Sequence, residues 1–160
     1  MQPRITSPAI SVAGVVEAMQ ALGQAANDAA EAAGVPPSTI ELIGLRASQI
    51  NGCAVCLDLH TRRARKAGET DERLFTLSAW REAPYFTEAE RAALALTEIG
   101  CRLADRTDPI PGEVFDEAAK HYDEPALAVL VVAITAINAW NRLNVMSGQV
   151  AGEWTAQWVA

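Results

Sequence analysis

The stretch ELIGLRASQINGCAVCLDLH, from Glu41 to His60, carries most of the reactive side chains of this chain. Two of the three cysteines, Cys53 and Cys56, stand three residues apart, and one of the two histidines follows four residues after the second. Glu41 stands twelve residues before the first cysteine. A redox site, a metal site and a coincidence of buried cysteines are all compatible with this cluster.

The chain around this stretch carries helix signals and no convincing strand. An Ala-rich segment from Ala9 to Ala33 ends at Gly34, a residue typical of a helix end. Capping boxes are predicted at 38–41 and 87–90, and Pro125 suits the first turn of a last long helix. At 160 residues the chain has the size of one domain. We therefore expect an all-α, single-domain bundle of about six helices over residues 1–160.

Composition limits the partners that the chain is expected to bind. The formal net charge is −7, which argues against unspecific nucleic-acid binding and against an anionic membrane surface. The longest apolar run, Ala126 to Trp140, is shorter than the roughly 20 residues that span a bilayer, so we expect a fully buried core helix. The N-terminus carries no convincing export signal, and we expect a cytoplasmic protein. In a reducing compartment, a close cysteine pair is more often catalytic, redox-active or metal-binding than structural.

The spacing of the cysteines and the histidine places them on one face of a helix that starts at about Cys53. Positions i, i+3 and i+7 fall within an arc of roughly 60°, and residues three apart can form a disulfide. Gly52 places the pair in the first helical turn, where unpaired N–H groups favour a thiolate. His60 lies one turn after Cys56 and can share its proton, which predicts Cys56 as the nucleophile. Glu41 reaches the pair if the preceding helix folds back.

Each of these residues also has a plain structural interpretation. A CxxC pair is commonly two buried small side chains, and Glu41 has the spacing to complete a capping box with Ser38. Cys101 is interpreted as a buried filler in the middle of a helix without a polar partner, and His121 as a favourable helix-end residue. A zinc site built from the two cysteines, His60 and Glu41 is disfavoured, since three ligands on one helix would span about 10 Å.

Taken together, these residues resemble the AhpD-like branch of the carboxymuconolactone decarboxylase family. That branch carries Glu, eleven residues, Cys-x-x-Cys, three residues and His, and this chain matches at every offset. The segments AWREAP, ERAALALTE and INAWNRL also resemble the family, so that the likeness covers roughly residues 35–145. The decarboxylase branch lacks the cysteine pair, and lactone decarboxylation is therefore not favoured.

The resemblance implies an all-α thiol peroxidase that acts on organic hydroperoxides or hydrogen peroxide and assembles into trimers or hexamers. It assigns Cys56 as the peroxidatic cysteine, Cys53 as the resolving cysteine, and Glu41 and His60 as a proton relay. It implies an external dithiol reductant, either a lipoyl group or a small redox protein, with no cofactor and no metal. The founding antioxidant members have a histidine directly before the second cysteine, where this chain has Val55, so we expect a modest rate.

Two other classes of protein stay open at this point. One is a disulfide oxidoreductase without peroxide specificity, and the other is a non-catalytic oligomeric helical protein. We expect a homo-oligomer whichever of these functions the chain has. The apolar surface is large for one small domain, and it comes from the tail tryptophans Trp154 and Trp158 and from the apolar helix at 126–140.

Overall fold

The computed structural model describes residues 1–105 and 107–158, without the side chains at 153 and 156, and this part of the chain contains helices and no strand. The all-α prediction is confirmed. The α-helices are α1 (Pro8–Ser11), α2 (Val15–Ala32), α3 (Pro37–Asn51), α4 (Ala54–Lys66), α5 (Asp71–Thr76), α6 (Glu88–Gly100), α7 (Gly112–Ala119) and α8 (Glu124–Ser147). Short 3-10 segments lie at Leu77–Ala79, Leu103–Asp105 and Glu153–Trp158.

The described residues form eight α-helices, slightly more than the expected six, and the N-terminal segment accounts for part of the difference. Gly14 has φ 79°, in the left-handed region, and separates α1 from α2 where the sequence predicts one helix. Glycine adopts this conformation without the steric penalty that other residues meet. The chain therefore bends there, and α1 packs against both α2 and α8.

The predicted capping boxes have different outcomes. Thr87 accepts a hydrogen bond from the backbone N–H of Glu90, and the Glu90 carboxylate accepts one from the backbone N–H of Thr87, so that box is confirmed. The box predicted for Ser38 and Glu41 is wrong. α3 instead starts at Pro37 without a side-chain cap, and proline suits the first helical position because its ring fixes φ near the helical value. The Glu41 carboxylate is thereby released from the helix start.

α8 is the central helix of the bundle and packs on α2, α3 and α6. It has 24 residues and an 18-residue window of mean hydropathy 1.6, which by length and composition would suffice to cross a membrane. However, 56% of that window is buried inside the protein, as in the core helix of a folded domain. The helix lies in the core as predicted, but it is not fully buried as expected, because Val131 and Val132 are 47% and 38% exposed.

The turn between α3 and α4 positions the reactive residues. Gly52 has φ 69° and ψ 31°, a left-handed conformation that ends α3 and redirects the chain. α4 then packs against α3. Glu41, near the start of α3, therefore comes close to His60, in the second turn of α4.

Candidate active site

The cysteine pair lies at the beginning of α4. Cys53 is the N-cap residue, so the helix begins one residue later than predicted, and its Sγ accepts a hydrogen bond from the backbone N–H of Cys56 at 3.3 Å. The two sulfurs are bonded to each other, with a Cα–Cα distance of 5.4 Å, which is usual for a disulfide. Both residues are buried, at 1% and 3% exposure. Small molecules can therefore reach a sulfur only through an opening in the packing.

A histidine–carboxylate pair lies beside this helix start. The Nδ1 atom of His60 is 2.7 Å from Oε2 of Glu41, and both side chains are mostly shielded from solvent. With Nδ1 donating to the carboxylate, the other ring nitrogen, Nε2, is left as a proton acceptor. A carboxylate that holds a histidine in this way fixes both its tautomer and its orientation. The pair has the form of a proton relay.

Gly44 makes room for the histidine ring. A Cβ atom at this position would meet Cε1, Nδ1 and Nε2 of His60 at 2.6, 2.7 and 2.9 Å, which is closer than real contacts allow. The ring of His60 therefore lies directly on the α3 backbone, where only a glycine fits. Sequence reasoning missed Gly44, because its role depends on the packing of α4 against α3.

Asn144 on α8 is a second residue that sequence reasoning missed. Its Nδ2 atom donates a hydrogen bond to Sγ of Cys56 at 3.4 Å, and the residue is buried. An amide donor at that position stabilises negative charge on the sulfur. A signal was present in the sequence: Asn138, Asn141 and Asn144 recur every three residues within an apolar helix, and such residues need buried partners.

The other two asparagines hold the helices together. Asn51 of α3 donates hydrogen bonds to the side-chain oxygens of Asn138 and Asn141, at 3.0 and 2.8 Å. Asn141 also donates to Ser48 Oγ at 3.1 Å. Satisfied polar networks of this kind fix one relative position of two helices. This network therefore sets the register of α8, and with it the position of Asn144 against Cys56.

A cavity of about 590 Å³ opens onto these residues. Cys56, His60, Glu41, Gly44 and Asn144 all line it, whereas Cys53 is not among the residues that line it. Its remaining walls are mostly apolar and come from α1, α2, α8 and the 3-10 segment at the tail. Of the two sulfurs, Cys56 is therefore the one that a molecule in the cavity would meet.

Two other residues considered in the sequence lie away from this cavity. His121 pairs with Glu117, at 3.4 Å, and lines a different pocket. Cys101 does not lie in the middle of a helix without polar neighbours, as expected, but at the end of α6, where Asn138 Nδ2 donates to its sulfur at 3.4 Å. Burial is the main cause that raises the pKa of the Cys101 thiol. This cysteine is therefore kept protonated at neutral pH.

The tail tryptophans have a partner surface within the chain itself. Trp154 and Trp158 line the cavity, although 42% and 39% of their surfaces stay exposed. Thr155 between them is buried and donates a hydrogen bond to Asp58 of α4. The 3-10 segment thus closes one side of the cavity against α4.

Comparison with known proteins agrees with this architecture. The model of the carboxymuconolactone decarboxylase family matches residues 15–98, which is half of the chain. The chain belongs to the carboxymuconolactone decarboxylase family. The uncharacterised protein YdfG of Bacillus subtilis is 42% identical over 114 residues, covering 71% of this chain and 76% of YdfG.

Within this family the likeness is to AhpD. A crystal structure from Agrobacterium tumefaciens, of a protein of unknown function provisionally assigned as the antioxidant defence protein AhpD, superposes with a TM-score of 0.85. It is 32% identical, and the match covers 94% of this chain and 99% of that protein. The alkyl hydroperoxide reductase AhpD of Bradyrhizobium diazoefficiens is 46% identical over 43 residues, 27% of this chain and 24% of that one. The chain is an AhpD-like member of the family.

Proposed function

We propose that this chain is a thiol peroxidase that reduces organic hydroperoxides or hydrogen peroxide, with Cys56 as the nucleophile and Cys53 as the resolving cysteine. The observation that carries the proposal is the combination of a disulfide-forming pair with a cavity that is lined by Cys56 but not by Cys53, and that the His60–Glu41 pair also lines. Membership of the AhpD-like family supports the same activity.

In the first step, the Cys56 thiolate attacks the terminal oxygen of the hydroperoxide. Nε2 of His60 takes the thiol proton and returns it to the departing alkoxide, while Glu41 holds the ring and stabilises its charge. The amide of Asn144 and the start of α4 favour the thiolate. The O–O bond breaks, an alcohol leaves, and Cys56 becomes a sulfenic acid.

In the second step, the Cys53 thiolate attacks the sulfur of the Cys56 sulfenic acid. The S–O bond breaks, hydroxide leaves with a proton as water, and the disulfide forms. The 5.4 Å Cα–Cα distance requires no large backbone movement. The two steps together convert one hydroperoxide and two thiols into one alcohol, one water and one disulfide.

An external dithiol completes the cycle by reducing the disulfide. We propose that one of its thiolates attacks Cys56 from the cavity, so that Cys53 leaves as a thiolate that still accepts the N–H of Cys56. The second thiol of the reductant then breaks the mixed disulfide. Because both sulfurs are buried, a small or arm-borne dithiol such as a lipoyl group fits better than the face of a redox protein. A reducing cytoplasm would keep such a dithiol available.

The same burial weighs against a general protein disulfide oxidoreductase. Exchange with protein thiols needs a sulfur that a second protein surface can touch, and the exposures of 1% and 3% do not offer one. A non-catalytic protein would need neither the His60–Glu41 pair nor the cavity. Both alternatives predict disulfide states that are independent of peroxide.

The test is peroxide consumption by the reduced protein with several dithiol reductants, followed by trapping with a sulfenic-acid probe after one equivalent of peroxide. Cys56→Ser is expected to abolish consumption. Cys53→Ser is expected to stop after one oxidation, with the probe on Cys56, because no neighbouring thiol resolves it. Label on Cys53 in Cys56→Ser, with none on Cys56 in Cys53→Ser, would reverse the assignment. Disulfide formation without peroxide consumption would contradict the proposed peroxidase activity.

A further inference from the structure

The volume of the cavity exceeds what hydrogen peroxide needs. A water-sized molecule takes about 30 Å³, whereas this cavity has about 590 Å³, within the range of sites that bind whole organic ligands. Its lining includes Met19 of α2 and Ile137 and Trp140 of α8. A substrate with a sizeable apolar body would bury that surface, and this burial favours binding.

One positively charged side chain lies within this mostly apolar lining. Arg63 of α4 lines the cavity, and its Nη2 atom donates a long hydrogen bond, 3.5 Å, to the backbone oxygen of Trp158. Its neighbours on the same helix are engaged elsewhere: Arg62 pairs with Asp58, and Arg65 pairs with Asp71. Among the residues that the structure describes, no carboxylate pairs with Arg63. Its guanidinium therefore has donors available to a molecule in the cavity.

The charge of the lining favours a single negative group on that molecule. The carboxylate that lines the cavity, Glu41, is already held by His60, and Arg63 is the one Lys or Arg among the lining residues in the described part of the chain. One guanidinium matches the planar shape and single charge of a carboxylate. A doubly charged group would call for further cations.

The position of Arg63 along α4 limits the length of a ligand that contacts both Arg63 and Cys56. It is seven residues after Cys56, about 10 Å along the helix axis. Long helical side chains lean toward the N-terminus of their helix, and Cys56 lies in that direction from Arg63. A ligand that touches both therefore has its two polar ends up to about 10 Å apart, with apolar atoms between them.

We propose that the site takes amphipathic hydroperoxides with a terminal carboxylate, which binds Arg63 while the peroxide group lies against Cys56. This inference rests on the proposed peroxidase function and specifies its substrate class. In the reaction the O–O bond breaks and the peroxide becomes an alcohol, as in the general scheme, and the carboxylate is unchanged. Arg63 is a specificity residue and takes no part in the proton transfers.

The experiment compares a medium-chain hydroperoxy acid with its methyl ester, both below their micellar concentrations. The wild-type protein is expected to show a kcat/KM about tenfold higher for the acid, the usual size of one charge-assisted hydrogen bond at a half-buried site. Arg63→Gln should bring the acid-to-ester ratio close to one. Arg62→Gln removes a cation from the same helix outside the cavity and should retain the wild-type ratio.

A binding measurement separates this inference from the peroxidase itself. Decanoate and methyl decanoate are titrated into the oxidised protein, with the fluorescence of the lining tryptophans as readout. Tighter binding of decanoate that Arg63→Gln abolishes would support the carboxylate site even if no hydroperoxide were consumed, in which case the proposed function alone would fail. Equal binding of both compounds, or a preference that Arg63→Gln leaves intact, would overturn the carboxylate site whatever the peroxidase activity.

Discussion

At the scale of single residues, access and hydrogen bonding favour Cys56 over Cys53 as the proposed nucleophile. Cys53, as the N-cap, receives a backbone N–H and lies closest to the helix dipole, which by itself would favour it as the thiolate. Cys56 instead faces the cavity and receives the amide of Asn144. A buried thiolate that no peroxide can reach does not react, so we expect access to outweigh the dipole. In the proposed cycle, the same stabilisation would favour Cys53 as the leaving group when the disulfide is reduced.

The hydrogen bond from Asn144 can be tested without any substrate. Asn144→Leu keeps a similar volume but removes the donor, and alkylation of Cys56 by iodoacetamide in the reduced protein near pH 7 should slow about tenfold, since hydrogen bonds to charged groups contribute about 1.5 kcal/mol or more. At high pH the two rates should converge, because the thiol then ionises unaided. Site-resolved mass spectrometry measures both rates.

Asn27→Leu is the matched control for this change. Asn27 lines the same cavity from α2, so the substitution alters its polarity without removing a hydrogen bond to the sulfur. Equal slowing in both variants would mean that general polarity, and not the Asn144 hydrogen bond, favours the thiolate.

A substitution at Gly44 of α3 tests the proposed proton relay of His60 and Glu41. Gly44→Ala places a Cβ within 2.6–2.9 Å of the His60 ring, so the ring must leave its position against Glu41. Peroxide reduction near neutral pH should fall to the level of His60→Ala, and combining the two changes should add little. Gly112→Ala is the control, because its Cβ meets nothing within 4 Å at the start of α7. A full rate in Gly44→Ala would show that the ring position does not matter.

At the scale of helices, Glu98 connects three segments of the chain. Its carboxylate accepts hydrogen bonds from Trp80 Nε1 at 2.9 Å, from Arg46 of α3 at 2.6 and 2.8 Å, and from Arg81 at 2.7 Å. Burial opposes the charged form, but the hydrogen bonds from Trp80, Arg81 and Arg46 outweigh it and lower the pKa of Glu98 below its usual 4.5. The ionised carboxylate thus stabilises the packing of α3 on α6.

Glu98→Gln is expected to lower the free energy of unfolding at pH 7 by about 2–3 kcal/mol, because it removes a charged acceptor that several donors share. A lowered folded-state pKa means that this stabilisation is present above about pH 4.5 and is lost as the pH falls through the folded-state value. The difference between wild type and variant should therefore shrink in acid. Urea unfolding at pH 7 and below pH 4 measures it.

Glu82→Gln serves as the control for the Glu98 experiment. Glu82 is exposed, and the change should leave stability within about 0.5 kcal/mol at both pH values. A constant difference between wild type and Glu98→Gln across the pH range would contradict the assignment of the stabilisation to the ionised carboxylate.

At the scale of the whole molecule, the outer face of α8 predicts self-association. Val131 and Val132 of this core helix are 47% and 38% exposed, and Met146 near its end is 76% exposed. Apolar side chains grouped on one helix favour burial against another subunit. We expect light scattering at micromolar concentration to give a mass three or six times 17.1 kDa. A stable monomer would contradict this prediction.

A charged substitution on the exposed face of α8 tests which surface forms the interface between subunits. Val131→Arg should shift the protein toward monomer, because burying an unpaired guanidinium in an interface is unfavourable. Phe75→Arg replaces an even more exposed apolar residue on α5 and should leave the mass unchanged. Loss of the oligomer in the second variant alone would place the interface on α5.

Much of the fold and part of the site could be predicted from local sequence. The helix ends at Gly34, Gly52 and Gly148 and the capping box at Thr87 follow from the conformations that single residues prefer. The disulfide-forming pair and the histidine one turn later follow from the repeat of one helix, since residues three and four apart are always neighbours there. Such features depend on a few consecutive residues, and the sequence by itself determined them.

Only the tertiary structure decided which distant residues meet. Glu41 fits either a capping box or a histidine partner by spacing, and the packing of α4 on α3 selected His60, nineteen residues away. Asn144 reaches Cys56 across 88 residues because α8 passes behind the start of α4. The clearance at Gly44 and the position of Arg63 in the cavity likewise arise where separate helices and the tail come together. Contacts of this kind depend on how whole helices pack, and no local pattern of residues encodes that packing.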